Sequence, residues 1–261
     1  MILLLIGRMP LFDTVCLTFG TAGTGGFGIR NDSIAGYSTY NQIVITVFMI
    51  LFGVNFNVYY LLLTKKVVQA AKSEEVRYYF GIIAVAIIAI AINTKGMYTS
   101  FGRAFQQAAF QVGSIITTTG YATTNFNVWP VLSKTILVML MFVGACAGST
   151  GGGIKVIRLL LLGKGLRRNV HENLHPEEVS VVRVNGKKVD EGVMRNVGAY
   201  LTAYVAIVIV CFLLVSLDGF SVETNFSAVM ATFNNIGPGL DQVGPVESFA
   251  YYSNFSKLVF S

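Results

Sequence analysis

Three short apolar segments of this sequence are each followed by small or polar residues and then by glycine. A loop of such residues can present backbone carbonyl oxygens to an ion in place of its water shell, and several loops around one axis form a selectivity filter. If each segment is a half-helix that enters from the outer face, the partial negative charge at its C-terminal end points toward a cation beside the loop. The alternative interpretation is that the glycines only permit tight turns. The segments are residues 11–19, 104–116 and 224–233, and the glycines are Gly25, Gly120 and Gly237.

A second glycine-rich stretch, residues 144–153, lies inside an apolar run rather than after one. Glycine costs a helix interior about 1 kcal/mol relative to alanine, so the three consecutive glycines at 151–153 predict an unwound, mobile segment. Such a segment below the outer loops is a candidate gate, although small residues also allow close helix packing. Lys155 and Arg158 follow, and snorkelling of their side chains to the cytoplasmic interface is the simpler interpretation of both.

Residues that could bind a metal or perform catalysis are scarce. His171 and His175 flank Glu172, but their charged neighbours and Pro176 favour a solvated loop over a metal site. The three cysteines are odd in number and lie in or near apolar segments, which favours reduced thiols. No Asp, Glu or His occurs in the long apolar runs of the sequence, and this argues against a membrane-embedded enzyme.

The elements that must position these loops are membrane helices. Hydrophobic residues make up 54% of the 261 residues and charged residues 12%, which is about half the charged fraction of a soluble domain. Crossing a hydrocarbon core takes about 20 helical residues, and the apolar runs lack the two-residue alternation of barrel strands. An all-α membrane protein is therefore predicted. Its four candidate spans are residues 33–64, 78–94, 135–154 and 196–217.

Basic residues indicate the orientation of these spans. More than half of the 19 Lys and Arg lie between the first and second spans or between the third and fourth. The positive-inside rule makes that side cytoplasmic, so the net charge of +6 does not require a nucleic-acid partner. The glycine loops then share the outer face. Between Arg103 and Lys134 the chain is uncharged but too polar for lipid and has both ends outside, so it must dip into the membrane and return.

The loops recur as parts of one repeating unit. The three loop glycines are 95 and 117 residues apart, spacings that suit a span, a re-entrant loop and a second span with variable insertions. The chain starts and stops inside such units, which predicts a further span at each end and a fourth unit.

Residues 179–190 alternate apolar and polar around Asn185 and Gly186. This pattern predicts a cytoplasmic β-hairpin, which is either a docking site for a soluble partner or a plain linker.

Four stretches of the sequence resemble the TrkH branch of the Trk/Ktr/HKT potassium transporter superfamily. The match extends over almost the whole chain, and the string Cys-Ala-Gly-Ser-Thr-Gly-Gly-Gly-Ile-Lys at 146–155 favours this branch over the KtrB branch. The resemblance implies helix, re-entrant loop, helix units, four in all, around a central pore. The stretches are residues 117–125 with Trp129 and Pro130, 144–158, 175–197 and 234–240.

The resemblance also implies a division of the chain. Residues 1–64 are the second unit without its first helix, and residues 78–163 are the third unit with a broken inner helix. Residues 164–195 are a cytoplasmic hairpin loop, and residues 196–261 are a truncated fourth unit. The first unit is expected to lie outside this sequence, as is the last inner helix, where the family usually places a basic residue facing the pore.

The implied function is potassium uptake across the bacterial inner membrane, with coupling to H⁺ or Na⁺ left open. A membrane-embedded enzyme and a non-conducting scaffold are the alternatives. K⁺ is the transported ligand, and no cofactor or other metal is implied. Family members are homodimers in membrane lipid that sit on a ring of nucleotide-binding regulatory subunits of the TrkA type. By this resemblance the filter residues are Gly23, Thr24, Gly25, Thr118, Thr119, Gly120, Asn235, Ile236 and Gly237, and the gating loop contains Gly144, Gly148, Gly151, Gly152, Gly153 and Lys155.

Overall fold

The computed structural model describes residues 1–175, 177–178 and 180–261 of the chain. Within these residues nearly all regular structure is helical, as predicted. The helices are α1 (Ile2–Ile6), α2 (Leu11–Ala22), α3 (Thr39–Phe52), α4 (Phe56–Leu63), α5 (Val67–Ala71), α6 (Glu74–Thr94), α7 (Phe101–Ile116), α8 (Val131–Val143), α9 (Val156–Leu174), α10 (Glu191–Val215), α11 (Val222–Phe233) and α12 (Asn254–Phe260).

Within the part of the chain that the structure describes, two helices, α6 and α10, are long and apolar enough to cross a membrane. The first candidate span, residues 33–64, is not one straight helix, because α3 and α4 meet at an angle of 91°. Gly53 follows the end of α3, and the Asn55 side chain accepts a hydrogen bond (2.9 Å) from the Asn57 amide at the start of α4. Such a cap satisfies a first-turn amide that has no partner inside the helix. The local chemistry of these residues therefore divides a run that hydropathy alone reads as continuous.

The third candidate span is divided by the glycine-rich stretch. α8 has 13 residues, about 20 Å of helix, which is shorter than a hydrocarbon core of about 30 Å. The chain is then irregular up to Lys155, and α9 begins at the next residue.

The segment 164–195, predicted to be a cytoplasmic hairpin loop, is helical at both ends, since residues 191–195 belong to α10. Residues 164–174 are helical and belong to α9, so His171 lies on a helix rather than in a loop. Its Nε2 lies 3.1 Å from Glu178 Oε2. Among the residues that the structure describes, no group of three potential metal ligands occurs. In this part of α9, Lys164 pairs with Glu74 at the start of α6, and Arg168 pairs with Glu191 at the start of α10.

A two-stranded antiparallel hairpin follows α9. Its strands are β1 (Arg183–Val184) and β2 (Lys187–Lys188), with Arg183 opposite Lys188. Asn185 and Gly186 between them have φ of 51° and 76°, as the tight turns that match the twist of β-hairpins require. Val179, the first residue of the predicted hairpin segment, lies outside the described residues.

α2, α7 and α11 lie where the sequence predicts half-helices. They contain 12, 16 and 12 residues, about 18 to 24 Å of helix, which is too short to cross the membrane. The Ser100 side chain accepts a hydrogen bond from the Arg103 amide (3.2 Å), and the Ser221 side chain accepts one from the Thr224 amide (3.1 Å). Because these serines cap the first turns, α7 and α11 begin slightly earlier than the apolar pattern alone predicts.

The apolar core centres on α7, which packs against α6, α3 and α8. Ile83, Ile87 and Ile90 of α6 are buried with Val112 and Ile115 of α7. These β-branched side chains repeat at helical spacing on the facing sides of the two helices. The half-helix is thus enclosed by protein, where irregular backbone at membrane depth is tolerated.

α7 also buries polar side chains that hold the chain as it returns from the membrane. Ser114 Oγ donates to the Tyr121 carbonyl (2.6 Å), and Thr123 Oγ1 donates to Gln107 Oε1 (2.6 Å). Buried polar groups are costly unless they are hydrogen-bonded. These two bonds therefore fix residues 117–123 against the helix that precedes them.

Candidate functional site

The loops that follow α2, α7 and α11 share one backbone conformation. Thr24, Thr118 and Asn235 have φ of 49°, 56° and 55°, in the left-handed region that residues other than glycine rarely adopt. Two residues later each loop has a glycine that also has positive φ. These glycines are Gly26 (68°), Gly120 (85°) and Gly237 (98°).

The residue between these two positions is held in the same way in each loop. Its amide donates a hydrogen bond to the carbonyl oxygen five residues earlier, in the last turns of the half-helix. The pairs are Gly25 with Gly20 (2.8 Å), Thr119 with Ser114 (2.9 Å) and Ile236 with Ala231 (2.7 Å). Loops of different sequence therefore have the same fold, as expected for a repeated unit.

This equivalence corrects the predicted register of the first loop. Gly26, rather than Gly25, corresponds to Gly120 and Gly237, and Gly23 is the residue that ends α2. The matching segments are therefore residues 24–26, 118–120 and 235–237. The sequence could not distinguish the two adjacent glycines, because either can adopt positive φ without steric cost.

The three loops lie side by side in a fixed order. A Cβ atom at Gly26 would be 1.7 Å from the Thr119 carbonyl oxygen, and one at Gly120 would be 1.9 Å from the Ile236 carbonyl oxygen. No side chain fits at such distances, so glycine is needed at both positions. At Gly237 the described residues leave open space within 4 Å of the same position.

The C-terminal ends of the three half-helices meet at these loops. The C-cap residues that directly follow these helices are Gly23, Thr117 and Asn234, and the last two are buried. Thr117 Oγ1 lies 2.7 Å from Thr119 Oγ1, and Asn234 Nδ2 donates to the Tyr204 hydroxyl (2.9 Å). The helix C-termini carry partial negative charge, so their convergence favours a cation near the loops.

The irregular segment 144–155 contacts all three loops. Thr24 Oγ1 donates a hydrogen bond to the Thr150 carbonyl (3.0 Å), and the Gly152 amide donates to Thr118 Oγ1 (2.6 Å). A Cβ atom at Gly152 would be 2.6 Å from the Asn234 carbonyl oxygen. One segment thus touches residues at the base of each of the three loops.

The predicted gating glycines allow this segment to fold back on itself. Gly144 and Gly153 have φ of 71° and 75°, and a Cβ atom at Gly153 would lie 2.7 Å from Gly144 Cα. Gly148 also has positive φ (70°). A Cβ atom at Gly151 would lie 2.8 Å from the Thr117 carbonyl oxygen. The absence of side chains at these positions is what permits the close contact with the loops.

Lys155 belongs to this segment rather than to the cytoplasmic interface. Its Nζ donates a hydrogen bond to the Gly151 carbonyl, so the side chain turns back into the segment. The snorkelling interpretation is therefore wrong for Lys155. Arg158, by contrast, places its guanidinium 4.2 Å from the centre of the Tyr200 ring on α10.

Sequence reasoning missed the residues that anchor the segment from the opposite side. The Cys146 amide donates to the Gly53 carbonyl (3.0 Å), which lies at the bend between α3 and α4. The Ala147 amide donates to the carboxylate of Glu75 (2.6 Å), a residue that is only 5% exposed. The sequence carries no signal for this contact, because a glutamate at the edge of an apolar run is ordinarily exposed.

Three comparisons with known proteins agree. A family model for TrkH, described as a cation transport protein, matches residues 82–261. The Trk system potassium uptake protein TrkH of Vibrio parahaemolyticus is 35% identical over 245 residues, which cover 92% of this chain and 50% of that protein. The Trk system potassium uptake protein TrkG of Escherichia coli strain K12 is 30% identical over 256 residues, covering 97% of this chain and 52% of that protein.

The crystal structure of the potassium transporter TrkH from Vibrio parahaemolyticus has the same fold. It superposes with a TM-score of 0.90 at 32% sequence identity and covers 99% of this chain and 56% of that chain. The chain thus spans about half the length of the curated relatives that it matches.

Proposed function

Because this chain belongs to the TrkH family of cation transport proteins, we propose that it forms part of a pore for potassium uptake through a bacterial inner membrane. The observation that carries this proposal is the contact of three identically folded loops with one another and with a single glycine-rich segment. Trk potassium uptake proteins are transporters and not enzymes.

The proposed filter consists of residues 24–26, 118–120 and 235–237. Their backbone carbonyls replace the water shell of K⁺, and the C-terminal ends of α2, α7 and α11 add partial negative charge at the same place. A fourth unit, outside these 261 residues, completes the ring next to Gly237. The open space beside Gly237 supports this position, because the corresponding glycines in the other two loops each lie against a neighbouring loop.

The proposed gate is the segment 144–155. It contacts the base of each filter loop through Thr150 or Gly152, so an ion leaving the filter inward meets it first. Single hydrogen bonds of this kind contribute about 0.5–1.5 kcal/mol each. A segment held by a few such bonds and built largely of glycine can change position at small energetic cost.

The proposed assembly follows the family resemblance. It is a homodimer in the membrane, with TrkA-type nucleotide-binding subunits on the side of α9 and the hairpin. The exposed basic side chains of β1 and β2 suit contact with a soluble partner. The proposed units are residues 1–64, 78–163 and 196–261, and the connection between the last two consists of the end of α9 and the hairpin.

Ion uptake by cells that lack their own potassium transporters tests this function. The full-length transporter that carries these residues is expected to restore growth at low K⁺ and to accumulate K⁺ in preference to Na⁺. Gly120→Ser is expected to reduce flux or selectivity, because a side chain there collides with the Ile236 carbonyl. Gly198→Ser is the matched control, since Gly198 on α10 has open space around its Cβ position. Unchanged flux and selectivity in Gly120→Ser would refute the filter.

A further inference from the structure

We propose that Glu74 and Glu75, at the start of α6, position the segment 144–155 and tie it to the cytoplasmic hairpin. The inference rests on the proposed role of this segment as the gate and names the residues that determine its resting position. Glu74 binds the hairpin, Glu75 binds the gate, and the two are consecutive residues of one helical turn.

Glu75 holds the gate from the side opposite the filter. Its Oε1 accepts a hydrogen bond from the Ala147 amide (2.6 Å), and its Oε2 lies 3.5 Å from Asn55 Nδ2. Hydrogen bonds to an ionised group are about twice as strong as neutral ones. Glu75 is almost fully buried, and a buried carboxylate that loses its partner is strongly destabilised. The carboxylate therefore favours the position of the segment that keeps Ala147 beside it.

Glu74 holds the tip of the hairpin. Its Oε1 accepts a hydrogen bond from the Asn185 amide (2.9 Å), and its own amide donates to Asn185 Oδ1 (2.8 Å). Ser73, which precedes α6, makes no capping bond. Asn185 therefore supplies a cap for a first-turn amide of α6 from a distant part of the sequence. Lys164 Nζ strengthens the contact by bonding to both Glu74 Oε2 and the Arg183 carbonyl.

Consecutive residues of a helix point about 100° apart, so Glu74 and Glu75 can reach different partners while their backbone moves as one unit. When the hairpin tip moves away and Asn185 no longer contacts Glu74, the first turn of α6 loses its cap. That turn then frays, and Glu75 loses its fixed position beside Ala147. The consequence reaches the filter through Gly152, which is bonded to Thr118. A partner that displaces the hairpin tip would thus release the gate.

The thiol of Cys146 can be used to measure the release of the segment 144–155. Cys146 directly precedes Ala147, and its side chain is fully buried. A thiol reacts with a water-soluble maleimide only when it is accessible as the thiolate. In a full-length transporter with Cys16→Ala and Cys211→Ala, together with replacement of any other cysteines outside these residues, the labelling rate of Cys146 measures the release of the segment independently of transport.

The decisive variants are Asn185→Gly and Glu75→Ala, alone and together. Asn185→Gly removes the side-chain cap but keeps the turn, because glycine readily adopts the positive φ of this position. It is expected to speed the labelling of Cys146 about threefold to tenfold. Glu75→Ala is expected to speed it at least as much, and the double variant is expected to label no faster than Glu75→Ala alone. Lys72→Ala, at an exposed residue just before α6, is the control and leaves the rate unchanged.

Two results would overturn the proposed link, which is the connection of the hairpin to the segment 144–155 through Glu74 and Glu75. One is an unchanged labelling rate in Asn185→Gly, and the other is the same acceleration by Asn185→Gly in the presence and absence of Glu75→Ala. If Glu75→Ala does not yield a folded protein, Glu75→Gln replaces it, because glutamine keeps the shape and one acceptor oxygen but loses the charge. A monodisperse elution profile and an unchanged melting temperature of Asn185→Gly establish that this surface variant is folded.

Failure of the link and failure of the transport function are separable. If Gly120→Ser impairs uptake while Asn185→Gly leaves Cys146 protected, the link is refuted and the pore stands. If Cys146 responds as expected but the full-length protein takes up no K⁺, the link is supported and the proposed function is refuted.

Discussion

A Cβ atom at Gly26 would lie 1.7 Å from the carbonyl oxygen of Thr119 in the neighbouring loop. The adjacent Gly25 is different, because a Cβ atom there would meet nothing closer than the Phe27 ring at 3.5 Å. Gly26 also has positive φ (68°), a conformation that costs other residues about 1–2 kcal/mol. Two consecutive glycines thus have unequal roles, and only Gly26 is needed for the packing of loop against loop.

The first prediction follows from this inequality. Gly26→Ala is expected to destabilise the full-length transporter by about 2–5 kcal/mol, the sum of backbone strain and overpacking, and to abolish selective K⁺ uptake. Gly25→Ala is expected to leave the melting temperature nearly unchanged, because its Cβ atom makes only ordinary contact. Thermal unfolding in detergent and Rb⁺ uptake measure both effects. Equal losses in the two variants would contradict the corrected register of this loop.

The second prediction concerns the hydrogen bond between the proposed filter and the proposed gate. Thr118→Val keeps the shape of the side chain but removes the acceptor of the Gly152 amide. Loss of this bond is expected to weaken the resting position of the gate by about 0.5–1.5 kcal/mol and to raise K⁺ flux by about twofold to tenfold. Thr202→Val on α10 is the matched control, since its hydroxyl bonds only to the carbonyl of Gly198 on the same helix. Lower flux in Thr118→Val at normal expression would argue against a gate.

The sequence predicted the three half-helices and the broken inner helix because each has a local signal. An apolar segment that ends in glycine is visible in any window, and so are three consecutive glycines. The register of the first loop is not visible, since the choice between Gly25 and Gly26 depends on Thr119, which is more than 90 residues away in the sequence. The prediction for Lys155 was wrong for a similar reason. Its neighbours in the sequence suggest a side chain at the membrane interface, but the fold of the segment places the Gly151 carbonyl where Lys155 Nζ bonds to it.

The bend between α3 and α4 and the role of Glu75 show two further limits. Gly53 and Asn55 are helix-ending and helix-starting residues, but the apolar residues around them dominate a hydropathy average. Glu75 stands at the edge of an apolar run, where an exposed glutamate is the ordinary expectation. Its burial depends on the amide of Ala147, a contact that only the tertiary structure provides.

The third prediction tests the compact form of the gate. Gly144 has φ of 71°, and a Cβ atom there would lie 2.5 Å from the Gly152 carbonyl oxygen. Gly144→Ala is therefore expected to disfavour the closed segment and to increase both K⁺ flux and the labelling rate of Cys146. Gly163→Ala on α9 meets nothing within 4 Å and is expected to leave both unchanged or to stabilise its helix slightly. Protection of Cys146 that survives Gly144→Ala would show that the segment can close without this glycine.

The fourth prediction concerns pH and the chain that follows the third loop of the proposed filter. Asp241 accepts hydrogen bonds from Thr224 Oγ1 (2.5 Å) and Ser221 Oγ (2.9 Å), at the start of α11. The bond from Thr224, followed by that from Ser221, lowers the pKa of the Asp241 carboxyl below its ordinary value of 3.8. A carboxyl whose pKa is lower in the folded than in the unfolded protein stabilises the fold above the unfolded value, and this contribution is lost as pH falls through the folded value.

Asp241→Asn removes that contribution while keeping a residue that tolerates the positive φ of this position (56°). The melting temperature of the parent protein is therefore expected to exceed that of the variant above about pH 4, and the difference is expected to shrink toward zero at lower pH. Glu247→Gln, which removes an exposed carboxylate a few residues further along the chain, controls for net charge. A difference between parent and Asp241→Asn that grows as the pH is lowered would have the wrong sign, and it would show that the charged carboxylate does not anchor α11 to the chain that follows the third loop.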